Sequence, residues 1–177
     1  MLDYDLDDFD PAAARKSLAD GGNVPPGKYH VRLDGAKVTT TSGGISFDEL
    51  TLTIVEGRYA GAEFSAKLWH SDKPANHTRA KIVKHALGMM HKNPDGKGYL
   101  PTEGRETFAE SLGCECIAEA EHEVFTGKTG KPQTKTVAAF AGFWSVTDPE
   151  VKGVKKAAAT AKPPVSTARQ KVDTSDI

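Results

Sequence analysis

Lys67 and Trp69 alternate with Phe64, Ala66 and Leu68, and that period of two puts an ammonium and an indole on the face opposite the apolar side chains. A cation beside an aromatic ring suits an unpaired polynucleotide, because bases stack on the ring while phosphates meet the charge. Stacking contributes about 1–3 kcal/mol per base, and each phosphate contact makes affinity salt-dependent. Neighbouring segments supply further candidates. Thr51 and Thr53 alternate outward against Leu50, Leu52 and Ile54, Arg32 alternates with Val31 and Leu33, and Lys37 precedes a loop with Gly43 and Gly44. Lys128 and Lys131 lie in the basic, glycine-containing loop Thr126–Pro132, and Lys135 follows it. The candidate contacts are therefore Arg32, Lys37, Thr51, Thr53, Lys67, Trp69, Lys128, Lys131 and Lys135.

Other chemistries fit less well. A Walker phosphate loop requires Gly, four residues, then Gly-Lys-Ser/Thr. Here Gly130-Lys131 is followed by Pro132, and His122 stands where Lys128-Thr129 would need its first glycine. His77, His85 and His91 are eight and six residues apart, not the three or four that places two ligands on one helix face, so no metal site is expected. Cys114 and Cys116 alternate with glutamates and read as small core residues. No serine sits in a nucleophile elbow. The expectation is a non-enzymatic protein with no catalytic residues, cofactor or metal.

Those candidates need a scaffold, and the chain is long enough for one. It has 177 residues, 38% of them hydrophobic, and a net charge of −1, so any affinity for nucleic acid requires locally segregated charge. Charge is segregated. Six aspartates (Asp3, Asp5, Asp7, Asp8, Asp10 and Asp20) face only Arg15 and Lys16 in the first twenty residues, whereas residues 73–97 carry Lys73, Arg79, Lys81, Lys84, Lys92 and Lys97 against Asp95. No apolar run approaches the ~18 residues of a membrane span. The acidic N-terminus has no basic-then-apolar signal pattern, and two cysteines suit a reducing compartment, so a cytoplasmic location is expected.

Three segments follow: an acidic arm over 1–22, a folded domain over 23–147, and a basic tail over 148–177. The tail is rich in Ala, Lys, Pro, Ser and Thr with no aromatic residue, a composition that predicts disorder. Within the domain, Pro25-Pro26-Gly27 opens a first strand, and Thr41–Gly44 forms a hairpin loop before the second. Ile45 and Phe47 sit on the opposite parity to Leu50, which predicts a bulge near Asp48. After the third strand, Val83, Ala86, Leu87 and Met90 recur at helical spacing, so a helix is expected over about Asn76–Lys92, capped by Asn76. A weaker helical turn over Glu103–Leu112 should end at Gly113. The fourth strand, Cys114–Phe125, carries Glu115, Glu119, Glu121 and Glu123 on one face, which should point away from bound phosphates. The fifth runs near Gln133–Gly142. Three strands, a helix, then two strands is the order of an all-β fold with one inserted helix, the five-stranded OB barrel, whose strands two and three bind single strands; an open α+β sandwich is the competing topology.

Several segments also resemble a phage-encoded family first described as a domain of unknown function. Phe9-Asp10-Pro11, then Val24-Pro25-Pro26-Gly27-Lys28-Tyr29-His30-Val31, looks like its opening. Glu56-Gly57-Arg58-Tyr59-Ala60-Gly61 is close to its Glu-Gly-x-Tyr-x-Gly signature. The Thr41–Gly44 loop, the Asn76 helix, the Leu112-Gly113 turn and the Gly127–Lys131 hairpin fall in the same order, across about residues 9–143. The resemblance implies an OB-fold protein that binds single-stranded DNA in phage or prophage replication or recombination. The alternative is a protein-interaction module, a recombination mediator gripping a partner with the same barrel. The C-terminal end, Asp173–Ile177, has only two acids and no aromatic, so a solubilising or weakly DNA-attracting basic tail is expected, with recruitment of replication or recombination proteins as the alternative.

Overall fold

A computed structural model describes residues 7–154. The tail beyond residue 154 and the alternative of partner docking at its end lie outside them.

Asp10 accepts hydrogen bonds from the backbone N–H of Ala12 and Ala13 and starts α1, Pro11–Ala19; the described part of the arm thus contains a helix, which its charge pattern concealed. Asp10 as N-cap with Pro11 at the first helical position is a sufficient local cause. Five long strands follow: β1 (Gly27–Thr40), β2 (Ser46–Ile54), β3 (Glu63–Trp69) and, after an intervening helix and two short strands, β6 (Glu115–Thr126) and β7 (Pro132–Trp144). The intervening elements are α2 (Pro74–Ala86) and the small hairpin β4 (Met90–Lys92) with β5 (Tyr99–Pro101). The fold is mostly β, with a five-stranded sheet. Antiparallel pairings join β1 to β2, β2 to β3, β6 to β7 and β1 to β6, and β3 meets β7 in parallel at Ser65 and Val137. The strand order is therefore β1-β2-β3-β7-β6, with β6 returning to β1.

The inner faces of Val31, Leu33, Leu50, Leu52, Phe64, Ala66, Leu68, Cys116, Ala118 and Ala138 form the core, and Val83, Ala86 and Leu87 of α2 join it. Burial of Cys116 pushes its thiol well above the ordinary range, as expected for an inert core cysteine.

Three expectations change. The bulge lies in β1, not near Asp48: Leu33 opposes Leu52 and Gly35 opposes Thr51, leaving Asp34 as the extra residue. β2 is continuous against β3 from Phe47 to Thr53, so Phe47 occupies the outer face. The helix begins at Pro74, after Lys73, and ends at Ala86 with Leu87 as its C-cap, because Gly88 adopts a left-handed φ of 73°; Met90 belongs to β4. The Glu103–Leu112 segment shortens to a single 3₁₀ turn, Ala109–Ser111, although Gly113 has the left-handed φ, 93°, that its position suggested. Beyond residue 147, Val151 is fully buried and Trp144 Nε1 donates to Glu150.

Candidate nucleic-acid interface

Paired residues on adjacent strands project to the same side of a sheet, so register alone assembles the outer face of β1, β2 and β3. One row is Thr39, Phe47 and Trp69; the next is Lys37, Glu49 and Lys67; the third is Gly35, Thr51 and Ser65. In the third row a Cβ on Gly35 would lie 3.1 Å from Thr51 Oγ1 and 3.2 Å from its Cβ, so a larger residue there would crowd the Thr51 side chain.

The first two rows hold the site. The ring centroids of Phe47 and Trp69 are 4.7 Å apart at 50°, a tilted packing of the kind aromatic pairs favour. The Lys67 ammonium lies 5.1 Å from the Phe47 ring, within cation–π range. Phe47 is covered by these neighbours, whereas Trp69 retains 37% of its surface. The indole is thus the accessible platform, and Phe47 is the buttress that fixes its tilt. Lys37 reaches Glu49 at 3.5 Å but stays exposed, and Thr51 is half-buried. Of the nine predicted contacts, Lys37, Thr51, Lys67 and Trp69 share this face.

The other five do not join it. Arg32 donates from Nε to Asp34 at 2.7 Å and from Nη2 at 3.0 Å, so its guanidinium is already engaged. The hydrogen bonds it gives Asp34 are the main cause holding that carboxyl below the ordinary value. Thr53, opposite Arg32 in register, is completely buried and cannot serve as a surface contact. Lys128 and Lys131 are exposed in the turn of the β6–β7 hairpin. This hairpin leaves the body at the end where β3 begins, because β7 runs parallel to β3 with Val137 beside Ser65; Trp69 is at the other end of β3. Lys135 pairs with Glu123 at 3.4 Å and covers the Phe125 ring at 5.2 Å. The strand-four glutamates sit on β6, which pairs with neither β2 nor β3, away from the Trp69 face.

Two residues that position the site were not found from sequence. Phe47 signalled itself only through its parity, which matches outward Thr51. Arg79, outside the apolar stripe of Val83, Ala86 and Leu87, is nevertheless buried. It donates to the carbonyls of Lys67, Phe140 at 2.6 Å and Ala138 at 3.3 Å, and stacks 4.9 Å from the Phe140 ring. β3 and β7 share only the Ser65–Val137 pairing, so the guanidinium satisfies carbonyls that no strand reaches. Desolvation lowers the Arg79 pKa without discharging a group of such high intrinsic basicity. His30 is likewise buried, between Glu56 and, at 2.7 Å, Glu115, tying β1 to the turn after β2 and to β6.

Trp69 also borders a cleft of about 840 Å³ between the end of the β1–β2 hairpin, α2 and residues 106–109. Among the described residues, no group of three His, Cys, Asp or Glu is arranged to hold a metal ion, and no helix is long and apolar enough to cross a membrane. No protein-family model matches the chain, and no curated protein matches it either.

Proposed function

We propose that this chain is a non-enzymatic, sequence-tolerant single-stranded-DNA-binding protein built on an OB fold. The observation that carries the proposal is the accessible Trp69 indole, backed by Phe47 and flanked by the Lys67 ammonium on one exposed sheet face. A base stacks on the indole whatever its identity, and its phosphate meets Lys67 or Lys37; no set of side chains for reading base edges is needed. The OB assignment is supported by the strand order, by the parallel contact of β3 with β7, and by a helix inserted after the third strand. A role in phage or prophage replication or recombination rests on the order of turn motifs in the sequence.

Direct comparison of single- and double-stranded oligonucleotides by mobility shift at low salt tests the proposal. Retardation of the single strand, weakening as salt rises, is the expected result; equal or absent retardation of both would refute it. The protein-gripping alternative has an observation of its own: Val124 retains 69% exposure near the end of the projecting hairpin, beside partly exposed Phe125. It predicts a partner captured through Val124 and no loss of mobility for oligonucleotide.

A further inference from the structure

The basic row of α2 is not used by the sheet-face site, yet it begins beside it. His77, Lys81 and Lys84 recur at four and three residues, so they share one side of the helix. His77 and Lys84 line the cleft that Trp69 borders, and Lys81 is exposed between them. From His77 to Lys84 the row climbs about 10 Å. The Lys84 ammonium lies 5.8 Å from the Phe108 ring, within cation–π range. Among the described residues, neither Lys81 nor Lys84 has a carboxylate within 4 Å. The cleft also contains carboxylates: Asp48, held by His70 at 2.7 Å, and Asp72 and Glu106.

We infer that a single strand stacked on Trp69 continues off the sheet into this cleft and lays its phosphates along Lys81 and Lys84 of α2. The inference rests on the single-strand-binding function proposed above and extends it from a face to a path. It makes the Trp69 face sufficient for a short strand and the helix row necessary for a long one.

The test is a salt titration of the full chain and its K81Q/K84Q variant with oligo(dT) of about 6 and about 16 nucleotides, spanning the site sizes of OB folds. For the longer strand, removing two phosphate contacts should reduce the slope of log affinity against log salt by about 1.4; for the shorter strand the two proteins should match. K81Q alone should remove about half of that slope, which keeps the test valid if the Lys84 change disturbs packing on Phe108. Equal slopes for the longer strand would overturn the path while leaving the sheet-face site intact. Failure of the unaltered chain to bind either strand would overturn both.

Discussion

At the scale of single residues, the account turns on one indole and what holds it. Trp69→Ala should weaken oligo(dT) binding by about 1–3 kcal/mol, the contribution of one stacked base, and an equilibrium titration of the variant checks it. Lys67→Ala should instead lower the salt slope by about 0.7, the signature of one lost phosphate contact to a single strand. Arg79→Ala addresses stability. It strips carbonyls of Lys67, Phe140 and Ala138 of their donor, and should cost about 2–4 kcal/mol in denaturant unfolding, since unsatisfied buried groups are expensive. Asp34 gives the pH dependence. Its carboxyl, held by Arg32, titrates below its ordinary 3.8, so it adds stability above that value that disappears as pH falls through the depressed folded value. Asp34→Asn should therefore be less stable than the unaltered chain near neutrality and converge with it in acid, as read by thermal melting across pH. The Lys67–Trp69 alternation was legible in the sequence because a period of two needs no tertiary knowledge. The engagement of Arg32 by Asp34 was not, because a period of two puts both side chains on one face without showing that they pair.

Elements set which residues become neighbours. The change of parity between Phe47 and Leu50 admits two physical solutions, a bulge in β2 or an aromatic on the outer face. Only the register against β1 and β3 decides between them, and it places Phe47 beside Trp69. The three-strand, helix, two-strand order and the turns at Gly44 and Gly113 were legible, because glycine marks left-handed positions locally. The end of α2 was misplaced because Met90 continues the apolar period while Gly88 breaks the backbone. The hairpin β4–β5 carried no signal strong enough to separate three-residue strands from loop. β7 carries its own irregularity: Phe143 opposes Ala118 while Ala138 opposes Ala120, and Gly142 fits the kink where a Cβ would lie 2.6 Å from the Glu119 Cβ. Gly142→Ala should therefore destabilise the protein by about 1–3 kcal/mol, the cost of overpacking, without changing the salt slope of binding.

At the scale of the whole molecule, a net charge of −1 means that affinity for a polyanion depends on where charges sit rather than how many there are. The strand order puts the glutamate row of β6 on the strand that touches neither β2 nor β3, and leaves Lys37, Lys67 and the α2 row near Trp69. The lysines of the β6–β7 turn, at the other end of β3, form a separate basic feature rather than part of that surface. The measurement that tests the central claim most directly is fluorescence titration of a Trp144→Phe variant, in which Trp69 is the remaining tryptophan, with oligo(dT) at low salt. Saturable quenching of Trp69 emission, with a midpoint that moves to higher oligonucleotide concentration as salt is raised, is the predicted result; emission that stays unchanged through the whole titration would contradict it.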